Sequence, residues 1–256
     1  MSLRADSPLA DAIRASPNME PRRNGRRPTI LLLHYTGMMD AGRAIDWLAR
    51  PESRVSCHYV VDEAGRITQM VSEEMRAWHA GVSFWAGERD INSASIGIEI
   101  HNPGRELGYP DFPAVQIAAV TALGRDIVTR HAIVPQKVLA HSDVSPERKT
   151  DPGEKFPWHS LAAAGVGHWI VPAPVDPADE GLAEGACGPM VKVVQAQLAA
   201  YGYEIAETGV LDRRTVFVLR AFQLHFRQGR VDCRLDRSTA GTLSALIAAQ
   251  PKPSTS

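Results

Sequence analysis

The stretch SASIGIEIHN, Ser93 to Asn102, decides how the chain folds. Ile96, Ile98 and Ile100 alternate with Ser95, Gly97, Glu99 and His101. A two-residue period sends successive side chains to opposite faces of a strand. One face is apolar and belongs to a core, while the other presents Glu99 and His101. A carboxylate and an imidazole on the polar face of a half-buried strand make that face a candidate site.

Working outward, TILLLHYT (Thr29–Thr36) is a short branched apolar run bounded by turn formers, the pattern of a buried strand, with His34 at its end. AGRAIDWLAR places Ile45 and Leu48 at helical spacing, and CHYVVDEAGRITQMV reads as two strands joined by a turn around Glu63 to Gly65. From Pro113 to Arg130, Gln116, Val120, Leu123 and Ile127 recur at three- and four-residue steps, the apolar stripe of a helix packed on a sheet. KVLAHSD is then another short strand, ending at His141.

Flanking segments differ in character. Residues 1–27 are polar, with scattered Pro and Arg, and read as an extended lead-in. The run from Gly165 to Gly188 is dense in Pro, Ala, Gly and acid without periodicity, so residues 171–187 read as a linker. Beyond it, over 188–250, Val191, Val194, Leu198 and Tyr201 form one stripe and Val216, Leu219 and Phe222 another. Asp212 and Asp236 stand where helix N-caps belong, since a carboxylate accepts the free amide hydrogens of a first turn. Three short helices forming a small bundle are expected there.

Composition narrows the partners. A chain of 256 residues suits one catalytic-sized domain, here residues 28–170, plus a small module. Apolar residues at 44% and charged ones at 22% are those of a globular protein. With 28 Lys and Arg against 29 Asp and Glu, the formal charge is −1, and no basic excess exists to hold nucleic acid. Cys57, Cys187 and Cys233 are odd in number and far apart, which points to free thiols. No apolar run reaches the ~18 residues of a membrane span. The N-terminus lacks a signal-peptide core, so the sequence as it stands reads as cytoplasmic; a removed signal segment would instead place it in the periplasm or cell envelope.

A hydrolytic zinc site takes about three protein ligands from His, Asp or Glu and leaves a position for water. His34 and His141 end two strands that can neighbour in one sheet, and Asp151 follows His141 closely enough for the loop to swing back. Glu99 suits the base that takes the proton of water, and Lys149 the cation that stabilises an oxyanion. Spacing alone leaves alternatives open: a strand-end histidine bonded to backbone, an exposed strand acid, a solvated loop lysine.

The strings LLLHYTG, VSCHYVVDEAGRITQMV, RAWHAGVSFW, INSASIGIEIHNPG and LAHSDVSPERKTDPGEKFPW, in that order, resemble the zinc-dependent N-acetylmuramoyl-L-alanine amidases of the AmpD and AmiD group, relatives of peptidoglycan recognition proteins and T7 lysozyme. The resemblance spans roughly residues 28–170. It implies an α/β fold with a mixed central β-sheet flanked by helices, and one Zn2+ per chain held by His34, His141 and Asp151. It also implies Glu99 as the catalytic glutamate and Lys149 as its lysine partner. The segment from Gly188 to Ile247, with VQAQL, DRRT, FQLHF and DRST, resembles the three-helix peptidoglycan-binding domain, except that Cys233 stands where that family usually has glycine.

On this likeness the expected function is hydrolysis of the amide between N-acetylmuramic or anhydro-muramic acid and the L-alanine of the stem peptide. Peptidoglycan or muropeptides are the expected partners and a monomer the expected state. The rivals are a peptidoglycan-binding protein without catalysis and a zinc peptidase cutting within the stem peptide. Tyr35, Trp78, His79 and Asn102 are candidate substrate contacts. His58 and His101 read as structural or substrate-contact residues rather than metal ligands, Cys57 as a buried thiol, Asp143 and Glu147 as turn and surface residues, and Arg227 and Arg230 as a solvated face, with contact to glycan carboxylates as the alternative.

Overall fold

The computed structural model describes residues 4–250. Its elements in chain order are β1 (Ala12–Ile13), β2 (Met19–Pro21), β3 (Ile30–Tyr35), α1 (Ala41–Leu48), β4 (Tyr59–Val61), β5 (Ile67–Gln69), β6 (Met75–Ala77), α2 (Ile91–Ala94), β7 (Ser95–Ile100), α3 (Ala114–Arg130), β8 (Val138–Ala140), α4 (His141–Val144), α5 (Trp158–Ala163), α6 (Pro189–Tyr201), α7 (Arg213–Phe226) and α8 (Arg237–Ala248). Six strands form a mixed sheet in the order β1-β5-β4-β7-β3-β8, and β2 pairs with β6 in a separate ribbon. Only β4 and β5 are antiparallel within the large sheet; β7, β3 and β8 run parallel. The expected α/β architecture with a mixed central sheet is the one observed.

The alternation in β7 sorts the interior into two halves. Ile96, Ile98 and Ile100 join Leu31 and Leu33 of β3 and Val120, Leu123 and Ile127 of α3 in one core. On the opposite face, Ile30 and Leu32 of β3 and Leu139 of β8 pack with Trp85, Val144 and the apolar residues of α6, α7 and α8. The helical bundle therefore shares its core with the sheet. Asp212 and Asp236 cap α7 and α8, accepting from the amides of Thr215 and Thr239.

Three expectations need correction. The N-terminal lead-in is part of the fold: β1 extends the sheet edge beside β5, and Arg22, buried, donates to the carbonyls of Glu73 and Ser93. Strands of two or three residues are too short to show a period, so sequence could not reveal them. Residues 171–187 are laid against the bundle, with Leu182 bridged to Leu235 and Cys187 to Val210, rather than spanning free space. Arg227 is fully buried, with Nη2 3.2 Å from Asp236 and 2.6 Å from Thr239, and Arg230 also pairs with Asp236. Arg227 secures the start of α8 from the interior, and Arg230, partly exposed, pairs there beside it. Cys233 adopts a left-handed backbone, φ 64°, the conformation for which glycine is the usual choice.

An ion cluster around buried Glu73 ties β4 and the segment before β6 to the end of α3. Glu73 accepts from Tyr59 at 2.6 Å, from Arg130 Nη2 at 2.8 Å, and lies 2.6 Å from His131 Nε2. Burial, the largest influence, pushes the Glu73 carboxyl up, but the bonds from Arg130, His131 and Tyr59 together outweigh it and hold the group well below the ordinary glutamate range. A carboxyl depressed on folding contributes stability that is present above its unfolded value of ~4.3 and lost as pH falls. Glu73→Gln is expected to cost about 1–3 kcal/mol near neutral pH, by weakening the charge-assisted bonds at buried Glu73, while Arg130 keeps its ion pair with Asp126. The gap from the parent should narrow as unfolding is measured at progressively lower pH below about 5; an equal gap at pH 7 and pH 3 would contradict this account.

Candidate active site

The parallel register brings the chemistry together. His34 of β3 pairs with Glu99 of β7, and Leu33 pairs with Ala140 of β8, so His141 follows one residue beyond the pairing. The residues after α4 then loop back. The amide of Ser142 donates to the Asp151 carbonyl at 3.1 Å, closing the loop on itself. Tyr109 Oη donates to the Pro152 carbonyl at 2.8 Å and packs where a Cβ on Gly153 would fall, φ 84°, so only glycine suits that position.

His34, His141 and Asp151 are all buried and their donor atoms converge. His34 Nδ1 lies 2.9 Å from His141 Nδ1, and Asp151 Oδ2 lies 3.1 Å from His141 Nδ1 and 3.4 Å from His34 Nδ1. The far nitrogens settle the tautomers. His141 Nε2–H donates to the Ala80 carbonyl at 3.1 Å, which can only accept. His34 Nε2–H donates to His79 Nδ1 at 3.0 Å, because His79 Nε2 faces Ser95 Oγ at 3.4 Å while that hydroxyl donates to the Ile91 carbonyl. Both Nδ1 atoms thus face each other as lone pairs beside a carboxylate oxygen.

Two lone pairs and an anion at such separations repel one another unless a cation lies among them. A tetrahedral zinc with ligands at about 2.0–2.1 Å separates its donors by about 3.3 Å. The donor set and its spacing therefore fit zinc. Burial and then His141 lower His34 to about 4, favouring the neutral imidazole. Burial raises the Asp151 carboxyl, but His141 and His34 outweigh it and keep it below its usual range, favouring the anion. Outward partners such as His79 and Ala80 fix ring orientation in the way metal sites require.

A cleft of about 360 Å³ opens above these donors, lined among others by Tyr35, Trp47, Trp78, His79, Glu99 and Lys149. Glu99 Oε2 is buried without a hydrogen-bond partner, and burial, with Asp151 adding to it, raises its carboxyl well above the ordinary value. Trp78 Nε1 is likewise buried and unpaired. Asn102 does not line this cleft: its amide donates to the Pro110 carbonyl and its oxygen accepts from Gly104, so it shapes the following loop. An asparagine beside Pro and Gly is a turn former by nature. Trp47, on α1, was missed because its exposed helical position resembled a surface residue.

Asp143 is a further correction, since it is buried rather than a solvated turn residue. Its partners lie some sixty and eighty residues away, where no local pattern could reveal them. Gly97 has a clearer cause. A Cβ there would meet His79 Nδ1 at 2.5 Å, so the absent side chain makes room for the ring behind His34. Gly97→Ala is expected to lower stability by about 1–3 kcal/mol in denaturant unfolding; a neutral substitution would show that His79 is not held against β7.

Comparison with known proteins agrees with this geometry. The family model described as N-acetylmuramoyl-L-alanine amidase matches residues 24–154, and a peptidoglycan binding domain model matches residues 187–243. The N-acetylmuramoyl-L-alanine amidase AmiD of Escherichia coli (strain K12) is 35% identical over 233 residues, covering 86% of this chain and 83% of the relative. The 1,6-anhydro-N-acetylmuramyl-L-alanine amidase AmpD of Citrobacter freundii is 34% identical over 173 residues, covering 60% of this chain and 90% of the relative. The solved structure of E. coli AmiD with the substrate anhydro-N-acetylmuramic acid-L-Ala-D-gamma-Glu-L-Lys superposes with a TM-score of 0.73 at 33% identity, covering 90% of this chain and 92% of the other. With its sheet, its converging donors and most of its length accounted for by these relatives, the chain belongs to the N-acetylmuramoyl-L-alanine amidase family.

Proposed function

We propose that the chain is a zinc-dependent N-acetylmuramoyl-L-alanine amidase that hydrolyses the amide joining the lactyl group of muramic or anhydro-muramic acid to the L-alanine of the stem peptide. Its zinc would be held by His34, His141 and Asp151. When bound there, zinc supplies a Lewis acid that acidifies water and polarises an amide carbonyl. Residues 28–170 are the catalytic part, and the bundle over 188–250 would keep it on glycan strands, raising the local substrate concentration.

The observation that carries the proposal is the orphaned Glu99 oxygen beside the converging donors. A buried carboxylate of raised proton affinity is a better base near neutrality than an ordinary glutamate. Glu99 takes a proton from the attacking water as its oxygen bonds to the carbonyl carbon, and returns that proton to the departing nitrogen. The C–N bond breaks, leaving a lactyl carboxylate and a free alanine amine. Lys149, which also lines the cleft, stabilises the negative charge gathered on the carbonyl oxygen. The unpaired Trp78 indole N–H and the Tyr35 ring offer substrate contacts.

Among the described residues no helix is long and apolar enough to cross a membrane. Glu99→Gln is expected to retain zinc and lose about 10²–10⁴-fold in turnover, the usual worth of a general base; full turnover by the zinc-loaded variant would end the proposed mechanism. Mass analysis of products from soluble anhydro-muropeptides and intact sacculi separates the rivals. Release of peptides beginning at L-alanine supports the amidase, new ends inside the stem indicate a peptidase, and cleavage of neither leaves a binding protein. His79→Ala, which removes the acceptor behind His34, should weaken zinc binding about 10–100-fold in chelator competition.

A further inference from the structure

The loop from His141 to Phe156, which carries both later donors and Lys149, has the cleft on one side and the bundle on the other. Helix α7 and the residues after it bond it along its length. Arg214 Nη1 reaches Glu147 at 2.6 Å, Arg220 Nη2 donates to the Pro146 carbonyl at 2.7 Å, and Gln228 Nε2 donates to the carbonyls of Glu154 and Phe156, both at 2.7 Å. The deepest attachment is at Asp143, two residues past His141. Its Oδ1 accepts from Tyr203 Oη at 2.6 Å, and its Oδ2 lies 2.7 Å from His225 Nδ1 and accepts from the amide of Ala140 at 2.8 Å. Asp143, Tyr203 and His225 are each no more than 2% exposed.

We propose that Tyr203 and His225 of the bundle are positioning residues for the amidase reaction, bracing His141 through Asp143. A helix of four residues such as α4 cannot hold its own shape, because one turn fixes many dihedrals for few hydrogen bonds. The Asp143 carboxylate supplies what α4 lacks, and it grips the amide of the residue just before His141. Its orientation is set from the bundle. His225 cannot turn, being stacked between Trp158, with ring centroids 3.7 Å apart, and Phe226, at 3.8 Å. The bundle thus does more than hold the enzyme on its substrate. It sets where one donor stands.

This inference rests on His141 as a zinc ligand, so its test reads zinc binding first. Full-length Tyr203→Phe and His225→Ala are compared with the parent by chelator competition, by the visible spectrum of the cobalt(II)-loaded protein, and by kcat and KM on a soluble anhydro-muropeptide. Each variant is expected to bind zinc about tenfold more weakly, at the lower end for an outer partner of a ligand. Each should also shift the cobalt bands and lower kcat with KM unchanged. His225→Asn, whose amide nitrogen lies near the place of Nδ1, should recover most of the loss. Tyr203→Phe removes one oxygen and carries the test alone if His225→Ala does not fold. Folded variants with the parent's zinc affinity, spectrum and kcat overturn the brace alone. A parent that binds no zinc overturns the ligand assignment and the brace with it.

Discussion

Everything in this molecule is arranged around two imidazole nitrogens that face each other at 2.9 Å with a carboxylate oxygen beside them. Such a cluster is unfavourable on its own, and it exists because three parallel strands deliver their ends to one spot. The centre strand β3 sets His34 opposite Glu99 on one side and brings His141 up on the other. A one-residue slip between β3 and either neighbour would turn the site residues toward α3, and the apolar alternation on the other face forbids that slip. The isoleucines of β7 thus specify the site as firmly as the histidines do.

Much of this was legible in the sequence, and for a definite reason. The alternation in SASIGIEIHN is strict, so its faces could be assigned, and the stripe in α3 is equally regular. The ordered strings around His34, Glu99, His141, Lys149 and Asp151 also singled out residues that the fold brings to one cleft. The rest depended on partners distant in sequence. His79 lines the cleft as a candidate substrate contact, but the contact of its Nδ1 with His34 Nε2 leaves no trace in the sequence. Arg227 looked solvated, yet it is buried against Asp236. In each case the residue type was read correctly, but burial belongs to the tertiary structure and leaves no local trace.

The polar groups around the site form successive layers. Nearest the cleft are Glu99 and Lys149; behind the donors stand His79 and the Ala80 carbonyl; behind α4 stands Asp143 with Tyr203 and His225. Nearly every buried oxygen and nitrogen in the two rear layers has a partner, as a rigid framework requires. At the front, Glu99 Oε2 and Trp78 Nε1 line the cleft without partners; behind it Ser142 Oγ and Trp158 Nε1 are unpaired as well.

The shared core beneath the bundle bears on how such chains are recombined. Val144 and Trp85 pack among the residues of α6, α7 and α8, while the stretch 171–187 lies against the same helices. A seam cut through that proline-rich stretch, where sequence invites it, would separate a surface from its own interior. Anyone exchanging the bundle for a different targeting module would have to redesign the far wall of the amidase as well. In this chain the joint between modules is a shared interior rather than the connecting peptide.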